Sequence, residues 1–351
     1  MNTVKPERSV ALDAYRGLIM IFLVSVGFGF GPLKDHPVWG AVAQQVEHVD
    51  WEGMVLWDLI QPAFMFMVGV AMPYSFASRA AGFWKSFGHV LLRAAKLIFL
   101  SQLFVIVQEG KFQFGLINVL SQIAFTYTLC FLLMQLPPRL QAISAVSILA
   151  LHWALFVLFP SPDGPFGKTG NVGQVLDLWL LGRNYSGYYV TINFLSCTTT
   201  TLAGVWAGYL LRSNRTEIEK LKLLVLYGFS SIAIGFALTP FNPMVKRIWT
   251  TSFTLASGGL VILGLAAFLW LIDMRGYKRL AFPLVVAGMN SIFIYVVSQL
   301  MRGSIHRTVG VFTGKFLWLG TLAPVAYACT TLLVIWYACY WLYRRKVFFK
   351  V

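Results

Sequence analysis

The chain has 351 residues, 58% hydrophobic and only 12% charged, with a formal net charge of +15. Soluble domains carry about twice that charged share, roughly 25%, and the mean hydropathy of +0.71 agrees. The apolar residues form long runs, which excludes an outer-membrane barrel of short alternating segments. The basic residues lie between those runs and form no continuous stripe, so no nucleic-acid partner is expected.

A helix needs about 20 apolar residues to cross a bilayer. Ten such runs are read along the chain, at 11–31, 53–74, 88–108, 116–135, 140–159, 192–212, 222–240, 250–273, 280–300 and 317–342. The expected fold is therefore all-α and polytopic, about 10 transmembrane helices in a single domain over 1–351, with the lipid bilayer as its surroundings. A short polar stretch leads straight into the first run, so no cleavable signal peptide is expected. Of the 28 Lys and Arg residues, 19 fall on one side of this arrangement and 9 on the other. The positive-inside rule then puts both termini in the cytoplasm of a multi-pass plasma (inner) membrane protein. Cys130, Cys197, Cys329 and Cys339 all fall within runs, with no CxxC pair, and read as packing residues.

Two loops on the outer side are long, 32–52 and 160–191. The second is rich in Gly and Pro and is expected to be irregular. In the first, Val38, Val42, Val46 and Val49 recur at helical spacing, which predicts a short helix on the membrane surface with His48 off the valine stripe. There is no internal repeat, so an inverted-repeat transporter gains no support.

Polar groups inside apolar runs are functional candidates. Asp13 and Arg16 share a helix face, as a salt bridge at the cytoplasmic edge or with Arg16 holding an anionic ligand. Asp58 precedes Gln61 and Pro62, and proline removes the N–H that would bond the Asp58 carbonyl; the group either knots helices together or lines a polar cavity. Asn118 with Gln122, the Ser196–Thr201 run, Trp249–Ser252 and Asn290–Ser291 suggest a shared polar interior. Gly27, Gly29 and Gly31 either pack helices closely or loosen the end of the first run. His36, His89 and His306 read as loop residues and His152 as a lone histidine in an apolar run. His48 differs, because Glu47, Asp50 and Glu52 surround it in sequence. Carboxylates can orient an imidazole for work as a base, while one histidine with two carboxylates matches no strong metal motif, so no metal is expected.

The stretches Arg8-Ser9-Val10 and Leu12-Asp13-Ala14-Tyr15-Arg16-Gly17, His48-Val49-Asp50-Trp51-Glu52-Gly53 and Asp58-Leu59-Ile60-Gln61-Pro62 resemble the heparan-α-glucosaminide N-acetyltransferase family. Gly115 through Tyr127, Lys246 through Ser252, Gly288-Met289-Asn290-Ser291 with Tyr295, and the tail from Leu342 to Val351 extend the resemblance over nearly the whole chain. It implies a multispanning acyltransferase of bacterial type, without the extra leading span and luminal domain of the animal enzyme. Such a protein takes an acetyl group from cytosolic acetyl-CoA to an extracytoplasmic sugar or glycan amine or hydroxyl. The family's essential histidine corresponds to His48, as covalent acyl carrier or as general base, and both roles need an unprotonated ring. Asp58 and Asn290 join it as catalytic candidates. Arg16, Asn118, Gln122, Arg344 and Arg345 are the candidates for holding acetyl-CoA, with Arg212 as a further basic residue facing its phosphates. Three positions depart from the family: Gly27 replaces an active-site asparagine of the heparan-acting member, Gln122 an arginine and Glu52 an asparagine. Loss of the amide at 27 removes an oxyanion donor that Asn290 or Asn118 would have to supply. A transporter or a catalytically inactive accessory protein on the same scaffold is the alternative, and a homodimer is among the expected assemblies.

Overall fold

The computed structural model describes residues 9–77 and 82–349. Lys5, Arg8, Arg79 and Lys350, used in the charge count, and Val351 lie outside the described residues. Among the described residues the chain is all-helical with no strand; a single bridge joins Ser161 and Gly164. The helices are α1 (Val10–Ser25), α2 (Gly40–Gln45), α3 (Ile60–Ala77), α4 (Phe83–Glu109), α5 (Val119–Leu133), α6 (Pro138–Leu158) and α7 (Val172–Leu181). They continue as α8 (Phe194–Arg212), α9 (Glu217–Ala237), α10 (Thr251–Phe268), α11 (Phe282–Met289), α12 (Ser291–Leu300), α13 (Arg302–Thr313) and α14 (Ala323–Arg344).

Each of the ten apolar runs contains a helix, but their lengths differ. Seven helical segments among the described residues are long and apolar enough to cross a membrane, or eight if α11 and α12, bent by 76° at Asn290, count as one span. The run at 11–31 is α-helical only to Ser25 and continues as short 3₁₀ turns, because Val26, Gly27, Phe28 and Gly29 all take positive φ and wind the chain the other way. The run at 116–135 starts late, where the Asn118 side chain caps α5 by accepting from the Leu120 N–H at 2.8 Å.

Three local expectations are corrected. The helix in the 32–52 loop is only six residues long and ends at Gln45, so His48 stands on irregular chain beyond it and not on a helix face. The 160–191 loop is not wholly irregular, since Asn171 caps α7 within it. His89 and His306 lie in α4 and α13, and His306 Nδ1 is 2.8 Å from the Thr331 hydroxyl. The four cysteines are free, three of them buried.

The chain clusters into two compact units. One comprises Met1–Glu47, Glu217–Leu221 and Ile262–Lys350, the other His48–Thr216 and Lys222–Val261. In the first unit α1 packs on α11 with almost no space between backbones: a Cβ on Gly17 would stand 1.7 Å from the Leu284 carbonyl oxygen, and one on Gly288 1.9 Å from that of Asp13. Asp273 closes the start of α1, accepting from the Ser9 hydroxyl at 2.7 Å and the Ala11 N–H at 3.2 Å. In the second unit α3 and α8 meet in the same way. A Cβ on Gly69 would lie 1.9 Å from the Thr201 carbonyl oxygen, and one on Gly204 2.1 Å from that of Phe66. Lipid offers apolar side chains as good a home as protein does, so membrane helices associate chiefly through such close backbone packing.

Candidate active site

The second unit carries the site. His48 lies on the irregular segment before α3, and Asp58 in the 3₁₀ turn Leu56–Leu59 that opens it. Pro62 therefore falls in the first turn of α3, where a missing N–H is tolerated. Asp58 is buried, and its Oδ2 accepts from the Val55 N–H at 3.3 Å, which fixes the carboxylate in its own turn. The other oxygen, Oδ1, is 2.6 Å from His48 Nδ1. It also accepts from Lys246 Nζ at 3.3 Å, and Nζ is 3.3 Å from His48 Nδ1. The His48 side chain is 40% exposed, the Asp58 side chain 1% and that of Lys246 6%.

These contacts assign the ring's tautomer. An ionised carboxylate only accepts and an ammonium only donates. Nδ1 must therefore carry the proton that goes to Asp58, and in the neutral ring the lone pair then lies on Nε2. A buried carboxylate orienting an imidazole through Nδ1 is the arrangement that prepares Nε2 as a base or nucleophile.

The surrounding chain is pinned at several points. The Gly53 N–H donates to the Met244 carbonyl at 2.8 Å, and Arg247 donates to the Asp50 carbonyl. Lys168 pairs with Asp50 at 2.7 Å and holds its carboxyl below the usual range. Trp51 donates to the Phe166 carbonyl at 2.9 Å and packs on a core of Phe156, Val190, Val245 and Ile248. Lys246 itself sits on a tight turn in which the Trp249 N–H bonds the Lys246 carbonyl, the Thr250 N–H bonds that of Val245, and the buried Trp249 has φ of 54°. Burial pushes the Lys246 ammonium down to about 8, against the pull of Asp58.

A chain of amides braces the same unit. Gln61 donates to Gln122 at 2.5 Å, Gln122 to Asn193 at 3.0 Å, and Asn193 to the Arg247 carbonyl at 3.3 Å. It links α3, one turn past Asp58, through α5 to the residue beside Lys246.

The other sequence candidates fall elsewhere. Asn118 caps α5, and Gln122 has both ends of its amide engaged in the bracing chain. In the first unit, Arg16 lies 3.7 Å from Asp13. Asn290 is fully buried and strapped to the C-terminal segment, donating to the Val347 carbonyl at 3.1 Å and accepting from the Phe349 N–H at 3.2 Å. Arg344 donates to the Tyr340 hydroxyl at 3.2 Å, and Arg345 lies over the Trp341 ring. Asp50 and Glu52, near His48 in sequence, give way to Asp58 as its carboxylate partner. The sequence reading has Lys246 as a loop charge and as the head of the Lys246–Ser252 segment, and gives it no role at the site.

Comparison with known proteins identifies the family. Residues 8–235, which hold both His48 and Asp58, match the family described as heparan-alpha-glucosaminide N-acetyltransferase, catalytic. The chain belongs to this family. It is 23% identical to the human heparan-alpha-glucosaminide N-acetyltransferase over 365 aligned positions, covering 83% of this chain and 52% of the human one. It is 24% identical to the mouse protein of the same name over 370 positions, covering 84% and 54%. It thus spans about half the length of the curated relatives it matches. Membership and the apolar helices together make the chain a membrane protein of an acetyltransferase family.

Proposed function

We propose that the chain transfers an acetyl group from cytosolic acetyl-CoA to an amine or hydroxyl of an extracytoplasmic sugar or glycan, with His48 Nε2 as the working nitrogen. The observation that carries this reading is the 2.6 Å contact between His48 Nδ1 and the buried Asp58 carboxylate. It holds the ring proton on Nδ1, so that on this half-exposed ring the lone pair of the neutral form belongs to Nε2.

Two routes use that lone pair. In one, Nε2 attacks the thioester carbonyl, the C–S bond breaks, and the CoA thiolate leaves and takes a proton from solvent; the acceptor amine then attacks the acetyl carbonyl, the C–Nε2 bond breaks, and the proton lost by the amine passes to Nε2, which returns it to solvent. In the other, both substrates are bound together, Nε2 removes the proton from the acceptor as it attacks the thioester, the C–S bond breaks, and the CoA thiolate leaves with the proton from Nε2. Arg344, Arg345 and Lys346 are exposed at the end of α14 and suit the phosphates of CoA. Arg16, half-buried in α1 and 3.7 Å from Asp13, is the further basic candidate. Asn118, Gln122 and Asn290 support the fold in this reading, since their amides already serve chain contacts. Both termini are assigned to the cytoplasm of the plasma membrane from the charge distribution.

The test is release of the CoA thiol by purified protein supplied with acetyl-CoA and glucosamine. His48→Ala should lower the rate by about 10²-fold or more; an unchanged rate refutes the reading. Mass spectrometry after incubation without acceptor separates the routes, because only the first leaves an acetylated histidine.

A further inference from the structure

We propose that Lys246 is a positioning residue for this chemistry: its ammonium shares the Asp58 oxygen with His48 and holds the ring neutral, with the proton on Nδ1 and the lone pair on Nε2. Its catalytic meaning rests on the function proposed above, but the state of the ring can be read without turnover.

Asp58 alone would favour the charged ring. A buried carboxylate 2.6 Å from an imidazole stabilises the imidazolium. An imidazolium has no lone pair and can neither attack a thioester nor accept a proton. Lys246 removes that tendency in two ways. It neutralises Asp58 by donating to the same oxygen at 3.3 Å, and it stands 3.3 Å from Nδ1, where a second cation on the ring would be strongly repelled. Neither nitrogen can accept from the other in this tautomer, so the short separation is two donors converging on one acceptor. The charged and titratable groups facing Lys246 are Asp58, His48 and Arg247. Arg247 is turned to the Asp50 carbonyl and lies 5.9 Å from the Tyr189 ring centre, so it does not replace Lys246 on the carboxylate. At neutral pH the Lys246 ammonium, held at about 8, remains charged.

The test is ¹⁵N NMR of the full chain in detergent micelles with labelled histidine, the His48 signals being those missing from His48→Ala. At pH 7 the wild-type ring should show a protonated Nδ1 and a pyridine-type Nε2. Lys246→Met should show both nitrogens protonated, and Lys246→Arg should keep the wild-type pattern. A neutral His48 ring in Lys246→Met at pH 7 overturns the proposal. Should that variant fail to fold, Lys246→Gln removes the charge while keeping a donor for Asp58, and the same outcomes apply. Turnover supplies the second readout. In Lys246→Met the rate at pH 7 should fall by about tenfold or more and recover by pH 9, since one pH unit is a tenfold change in proton occupancy. An even loss at both pH values would make Lys246 merely structural. Inactive wild type with the expected NMR pattern would refute the transferase reading and leave the positioning role standing.

Discussion

Asp58 Oδ1 meets His48 Nδ1 at 2.6 Å although ten positions of mostly irregular chain separate the two residues. The carboxylate is rigid because its second oxygen is tied to the Val55 N–H and because it is buried. The ring is half-exposed, so its orientation depends on this contact more than on packing. Asp58→Asn keeps the shape but offers an amide that can donate to Nδ1, which turns the lone pair away from Nε2. The rate of thiol release should fall roughly 10²–10⁴-fold, the range for loss of a positioned base. The same change strands the Lys246 ammonium without its carboxylate, and breaking a buried pair costs about 3–5 kcal/mol. Asp58→Asn with Lys246→Met should therefore regain stability in detergent melts without regaining activity. Recovery of both together would mean that the carboxylate only holds the fold.

Lys246 also makes stability depend on pH in a definite direction. Its folded value is about 8 against a reference of 10.5, because burial disfavours the charged form. Between those values the unfolded chain binds a proton that the folded chain has released. Stability therefore rises with pH through this window, by an amount on the order of 3 kcal/mol. Unfolding followed from pH 7.5 to 10.5 should show wild type gaining relative to Lys246→Met. Parallel curves would show that the lysine is not held down in the folded state.

The sequence made the membrane class and the candidacy of His48 legible because both are local: apolar runs announce helices, and a histidine among carboxylates draws notice. Which carboxylate meets the ring was not local. Asp50 and Glu52 are nearer in sequence, but Asp50 is taken up by Lys168, and the turn at 56–59 swings Asp58 under the ring. Lys246 is 188 positions from Asp58, and no spacing rule could join them. The end of α1 was hidden for a different reason. Val26 and Phe28 are good apolar residues whose positive φ cannot be read from composition. Gly27 sits in that left-handed stretch, with a Cβ there 3.0 Å from the Val46 carbonyl oxygen. Asparagine, the residue that the family resemblance leads one to expect at this position, is among the non-glycine residues that best tolerate such a backbone.

The amide chain through Gln122 gives a prediction about coupling. Gln122→Leu leaves the Gln61 donor and the Asn193 acceptor facing apolar atoms, and each unsatisfied buried group costs about 1–3 kcal/mol. The variant should melt earlier than wild type, and Asn193→Leu likewise. Because the two residues bond directly at 3.0 Å, their effects should not add. A double-mutant cycle should return a coupling of about 0.5–3 kcal/mol, and additive losses would show that the chain does not act as a unit.

Gly69 offers the sharpest test of how the site's scaffold is held. Its position in α3 lets the helix approach α8 until a Cβ would be 1.9 Å from the Thr201 carbonyl oxygen and 3.0 Å from the Val205 nitrogen. Backbone atoms cannot rotate aside as a side chain end can, so Gly69→Ala must push the helices apart. α3 begins just after Asp58, and the displacement should loosen the pair with His48 as well as the fold. Overpacking of this kind costs about 1–3 kcal/mol, and the rate of thiol release should fall with the melting temperature. Gly88 in α4 is the control, since a Cβ there meets nothing within 4 Å. Gly88→Ala removes the backbone entropy of a mid-helix glycine and should stabilise by roughly 0.5–1 kcal/mol. If the two alanine variants melt alike, the close approach of α3 and α8 is not what supports the site.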